Sequence, residues 1–118
     1  MKENVIKQKS FDFAFRIVKL YQFLTESKKE FIISKQLLRS GTSIGANIRE
    51  AEQAESKNDF IHKLSISLKE TNESIYWLEL LVATKYITTK QFESINSDAV
   101  ELIKLLTTII KTSKQKNK

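Results

Sequence analysis

His62 is the single histidine of this 118-residue chain, and Asp59 stands three residues before it. On a helix that spacing puts an imidazole and a carboxylate on one face, where they could share a metal ion. Carboxylate-bridged dimetal bundles gather several such pairs from different helices, and this sequence offers one. A local hydrogen bond near a helix start is the simpler reading, so no metal and no cofactor is expected. Glu70, Glu73 and Glu79 are read as spread around one helix, which gives paired-carboxylate catalysis no support. Glu50, Glu52, Glu55 and Asp59 form an acidic block at a turn. Within it Glu55 continues an apolar stripe, where it would pair with a buried cation or cap the bundle end. Without cysteine the chain has neither disulfides nor thiolate metal sites. No catalytic constellation emerges, and the chain is expected not to be an enzyme.

Gly41 and Gly45 are the two glycines, and there is no proline. A phosphate-binding loop would set glycines between a strand and a helix and follow them with Lys-Ser or Lys-Thr; this run has neither. Each glycine costs a helix interior about 1 kcal/mol relative to alanine. Spaced four apart and flanked by Ser40, Ser43 and Ala46, they describe a helix surface flattened for close packing.

The net charge of +6 is concentrated at the two ends of the sequence. Lys2, Lys7 and Lys9 outweigh Glu3 in the first nine residues, and Lys111, Lys114, Lys116 and Lys118 face no acid. The body between them carries as many acidic as basic side chains. Basic tails (1–9 and 113–118) attract polyphosphate and equally keep a small bundle in solution. These lysines, with Arg39 and Arg49, are the candidate nucleic-acid contacts. Lys28, Lys29 and Lys35 join those arginines on helix 2 but are read as dispersed around it.

The elements that must carry these residues follow from apolar spacing and capping chemistry. Ser27-Lys-Lys-Glu30, Ser56-Lys-Asn-Asp59 and Thr88-Thr-Lys-Gln91 each read as a capping box and hence a helix start. Four helices result, at about 10–26, 28–55, 57–84 and 89–112. An uninterrupted helix from Lys28 to Ala83 would run about 84 Å, too long for so small a domain, so a turn is placed at 55–57. Short connections make consecutive helices antiparallel neighbours. The fold class is all-α, a single up-down-up-down antiparallel four-helix bundle. Its core stripes are Phe13, Ile17, Leu20 and Leu24; Ile33, Leu37, Gly41, Ile44, Ile48 and Ala51; Phe60, Leu64, Leu68, Ile75, Leu78 and Val82; and Phe92, Ile95, Ala99, Leu102, Leu106 and Ile109.

Apolar residues are left over. Phe11, Phe15 and Val18 make a second stripe on helix 1, and Ile66, Trp77 and Leu81 lie off the core stripe of helix 3. A wide core could absorb some of these residues, and self-association absorbs more, so these six are the candidate oligomer interface. No apolar run reaches the roughly 20 residues of a membrane span, and a cytoplasmic location is expected.

Four segments carry a family resemblance: Ser10-Phe-Asp-Phe-Ala-Phe-Arg-Ile-Val-Lys-Leu-Tyr21, Lys35-Gln-Leu-Leu-Arg-Ser-Gly-Thr-Ser-Ile-Gly-Ala-Asn-Ile-Arg-Glu-Ala51, Asp59-Phe-Ile-His-Lys-Leu64 and Tyr76-Trp-Leu-Glu-Leu-Leu81. The chain resembles the bacterial four-helix bundle family of proteins encoded by intervening sequences of 23S rRNA genes, also called S23 ribosomal protein-like. It is similar as well to the accessory variability protein of diversity-generating retroelements. The resemblance implies a cyclic homopentamer without enzymatic activity. In the retroelement branch it implies a basic surface that binds nucleic acid and a reverse transcriptase; this chain differs in its charge-balanced body. The functional expectation is an oligomeric binding scaffold for RNA or DNA, RNA foremost. The alternative is a structural module whose partner is another polypeptide.

Overall fold

The computed structural model describes the backbone of residues 2–115 and the side chains of 4–115. Four helices, α1 (Lys2–Glu26), α2 (Ile33–Glu52), α3 (Lys57–Ala83) and α4 (Thr89–Gln115), follow one another along the chain. Each packs on its neighbours in sequence, and α1 closes against α4. That is an up-down four-helix bundle, drawn out to 50 × 22 × 20 Å.

α1 begins eight residues before the expected position 10, because the buried side chains Ile6 and Ser10 extend the line of Phe13, Ile17 and Leu24 toward the N-terminus. α4 likewise runs to Gln115, with Ile109 and Ile110 buried near its end. The described parts of both expected tails are therefore helical.

α2 is shorter than expected at both ends. Ser27 does not start it. Instead the Glu30 carboxylate accepts the backbone N–H groups of Ile32 (3.1 Å), Ile33 (2.9 Å) and Ser34 (2.7 Å). Three orphan donors of the first turn are thus satisfied by one buried side chain. Burial pushes the Glu30 carboxyl up, but these bonds together outweigh it and hold its pKa below the usual carboxylate range. At the other end α2 stops at Glu52, which leaves Glu55 exposed in the following turn rather than on a core stripe.

The two remaining capping boxes form. Ser56 Oγ accepts from the Asp59 N–H (3.1 Å) at the start of α3. Thr88 and Gln91 exchange both bonds, 2.8 and 3.1 Å, at the start of α4.

The buried face of α3 differs from the stripe read off its apolar residues. It runs Leu64, Ser67, Thr71, Ser74, Leu78, Leu81, while Phe60, Leu68, Ile75 and Val82 flank it half-buried. Three small hydroxyl residues at its centre let α2 come close. Ser67 Oγ donates across the gap to the Ile44 carbonyl at 2.8 Å, and Ser40 and Ser74 hydroxyls meet at 2.9 Å. Thr71 satisfies its hydroxyl on the Ser67 carbonyl of its own helix.

Candidate functional site

Gly41 and Gly45 lie inside α2, and neither has a positive φ. Both face α1. A Cβ at Gly41 would stand 2.8 Å from Ile17 Cγ1, and one at Gly45 would stand 3.2 Å from Ser10 Oγ. The glycines thus shape the α1–α2 crossing and leave no cavity for a ligand.

The outer face of α1 presents Phe11 (54% exposed), Phe15 (58%) and Val18 to solvent. The Arg49 guanidinium lies 5.7 Å over the Phe11 ring, and the Lys19 ammonium 5.6 Å over that of Phe15. Phe15 also borders a groove of about 510 Å³ between α1 and α4, floored by Leu20, Phe23, Ile87 and Ile95. Arg16 bridges those helices, its guanidinium bonded to Asp98 at 2.7 Å and to the Ser94 hydroxyl at 2.9 Å.

On α3 the expected interface residues divide. Leu81 is fully buried within the subunit and belongs to the core, since the buried line of α3 passes through it. Ile66 and Trp77 are half-buried. The exposed member of this face is Tyr76, set edge-on to Trp77 with ring centroids 4.9 Å apart. Apolar spacing did not single out Tyr76, nor the exposed Ile32 that follows Phe31 in the α1–α2 loop.

Glu70 and Glu73 are not spread around their helix, contrary to expectation. Both converge on Arg39 of α2, at 3.0 Å for Glu70, with Glu73 bonded to the other guanidinium nitrogen. Trp77 Nε1 donates to the same Glu73 carboxylate at 3.0 Å. The Trp77 bond lowers the Glu73 pKa most; burial opposes it, and Arg39 adds to the lowering. Hydrogen bonds from Glu73 and Glu70 raise the Arg39 pKa in turn. Arg39 is thereby tied to two acids of its own subunit.

The other candidate cations also separate. Lys7 pairs with Glu52 and Lys9 with Glu101, each at 3.2 Å. Lys111 and Lys114 make no ion pair among the described residues and edge a shallow hollow of about 400 Å³ with Leu68 and Ile110. The Lys2 side chain, Lys116 and Lys118 lie outside the described residues. His62 is exposed, and Asp59 engages the Glu55 backbone N–H at 3.4 Å. Among the described residues no three or more His, Cys, Asp or Glu side chains gather as metal ligands, and no helix is long and apolar enough to cross a membrane.

The 23S rRNA-intervening sequence protein family model matches residues 2–108. A crystal structure of a protein of unknown function from the S23 ribosomal protein family of Bacteroides thetaiotaomicron superposes with a TM-score of 0.93. It is 67% identical, and the match covers 94% of this chain and 99% of that one. Among curated proteins nothing matches. With the family model spanning nearly the whole bundle and so similar a solved structure, the chain belongs to the 23S rRNA-intervening sequence protein family.

Proposed function

We propose that the chain is a non-enzymatic, cytoplasmic scaffold that assembles into a ring and binds RNA weakly through lysines repeated around that ring. The observation that carries the reading is the exposed Phe11-Phe15-Val18 stripe, a continuous apolar face on a helix whose opposite side already fills the core. α1 and α3 are not neighbours in the bundle. The α1 stripe and the Tyr76–Trp77 edge therefore sit on separate sides of the subunit, as a head-to-tail contact requires. Their charges complement each other: Lys19 and Arg49 border the first, while the exposed Glu79 borders the second. A closed head-to-tail ring of five is the assembly that the family resemblance implies. RNA is the partner suggested by the family's link to 23S rRNA. Multiple weak lysine contacts on one strand gain strength by avidity.

Light scattering coupled to size exclusion, followed by anisotropy of labelled RNA across a salt series, tests both halves. A pentamer-sized particle with steeply salt-dependent RNA binding is expected. A 13.7 kDa monomer at micromolar concentration would overturn the scaffold. An oligomer that ignores RNA and DNA even at low salt would favour a polypeptide partner instead.

A further inference from the structure

The body of the chain is charge-balanced along its sequence, yet the fold brings five of its lysines, from two loops and the helix starts beside them, to one end. In an up-down bundle the α1–α2 loop (27–32) and the α3–α4 loop (84–88) share one end, and the α2–α3 loop lies at the other. The two-loop end gathers Lys28, Lys29, Lys35, Lys85 and Lys90, all exposed. None of them forms an ion pair among the described residues, whose ion pairs all lie elsewhere. The acids nearest them in sequence are Glu26, Glu79 and Glu93, which are exposed and make no ion pair among the described residues, and Glu30, whose carboxylate is buried and engaged by three backbone N–H groups. At the opposite end Glu52 pairs with Lys7 and Glu50 with Lys63, while Lys111 and Lys114 make no ion pair among the described residues.

A second observation points to the same end. Among the described residues the positive-φ ones are Lys29 (φ 54°) and Lys85 (φ 67°), one in each of these loops. That left-handed conformation favours glycine, and a residue with a Cβ adopts it at a cost. Lys85 occupies the position that closes α3: the Tyr86 N–H reaches the Leu81 carbonyl at 2.9 Å, and the Lys85 N–H reaches Val82 at 3.1 Å. Glycine is the usual residue at this place in such a helix ending. The chain has glycines inside α2 and lysines at both loop positions where glycine would be less strained. Residues held in costly conformations point toward a role other than stability.

Between the loops lies a cleft of about 460 Å³, bordered by Lys28, Lys85, Tyr86 and Thr88, with the Phe23 ring within it. The Lys28 ammonium stands 5.8 Å from the centre of that ring. Phe31 and Ile32 of the α1–α2 loop are exposed as well, the latter 78%. Cations beside exposed planar and apolar groups match the chemistry of an unpaired polynucleotide, which offers phosphates to the one and base faces to the other.

We propose that this two-loop end is the RNA-contact face, taking the phosphate backbone of a single strand on Lys28, Lys29, Lys85 and Lys90 and an unpaired base against Phe31. This rests on the RNA reading above and moves its site from the chain termini to the bundle end. In a ring of parallel subunits the same end repeats on one rim, so one strand meets several copies.

The test uses the full chain, a labelled poly-uridine strand and an RNA duplex, titrated over a salt series. Replacing Lys28, Lys85 and Lys90 together by alanine is expected to weaken strand binding roughly tenfold or more and to flatten the salt dependence by about 2 in log–log slope, near 0.7 per lost contact. The pair Lys111→Ala and Lys114→Ala should change the slope less. Lys85→Gly separates function from folding: it should raise the melting temperature while weakening RNA binding. Phe31→Ala should lower affinity for the strand and leave duplex affinity unchanged. Binding that survives the triple replacement but falls with the Lys111 and Lys114 pair would overturn the face assignment and leave the RNA reading standing. Absence of any binding by the wild-type chain at low salt would overturn both.

Discussion

Gly41 of α2 lies so close against Ile17 of α1 that a methyl group built on it would stand 2.8 Å from Ile17 Cγ1 and 2.9 Å from Cγ2. Ile17 is fully buried and β-branched, so it has little freedom to withdraw. Gly41→Ala should therefore lose about 1–3 kcal/mol through overpacking, despite the better helix propensity of alanine. At Gly45 the nearest atom is Ser10 Oγ at 3.2 Å, a hydroxyl that can rotate. Gly45→Ala should stay within about 1 kcal/mol of wild type, because the propensity gain offsets a small shift, whereas Gly45→Leu should destabilise by about 1–3 kcal/mol. Urea melts of the three variants rank them. An alanine at 41 as stable as wild type would show that the crossing is looser than drawn.

Glu30 makes the start of α2 sensitive to acid. Its folded pKa lies below the ordinary carboxylate value of 4.5, so the ionised form favours the folded state. That contribution is fully present above the unfolded value and is lost as pH falls through the lower folded one. Glu30→Gln should cost about 1–3 kcal/mol at neutral pH, because a single amide oxygen replaces a carboxylate that accepts three N–H groups. The gap between variant and wild type should then close as pH drops below about 4.5, read from melts across that range.

The assembly contact has a signature that distinguishes two unlike faces from one face meeting itself. Phe15→Glu on α1 and Tyr76→Lys on α3 should each prevent ring formation, since a buried unpaired charge is strongly unfavourable. Mixed, they should give a heterodimer, because each variant keeps the one face that the other lacks. Light scattering on the mixture reads the outcome. Two monomers that never combine would exclude pairing of the α1 stripe with the Tyr76 edge.

Much of this architecture is legible in the sequence because apolar periodicity reports the faces that exclude water. It succeeds for α4 and for the Ser56 and Thr88 starts, where local chemistry and burial agree. It fails along α3, since Ser67, Thr71 and Ser74 read as polar although their hydroxyls are satisfied by nearby carbonyls or each other and pack as small core residues. The Ser27 box fails because Glu30 reaches forward to three amides, a role that shares its residue with the box but shifts the helix by five positions. Charge is the largest omission. Lys28, Lys29 and Lys35 are far in sequence from Lys85 and Lys90, and only the up-down topology brings the two sets to one end. The convergence of Glu70 and Glu73 on Arg39 is hidden for the same reason, as it needs the α2–α3 register.

Trp77 is the single tryptophan, and its bond to Glu73 turns that network into an optical probe. The Glu73 pKa is lowered first by the indole N–H and further by Arg39, against the opposing effect of burial. Trp77 emission should therefore change with a midpoint below the ordinary carboxylate value of 4.5. Glu73→Gln should abolish the transition without unfolding the bundle. Arg39→Met should move the midpoint upward toward 4.5, because it removes the cation while leaving the indole bond. The same Arg39 variant should leave RNA affinity nearly unchanged, as that guanidinium already faces two carboxylates of its own subunit. A large loss of RNA binding in Arg39→Met, with the oligomer and the fold intact, would place a nucleic-acid contact on the α2–α3 face instead.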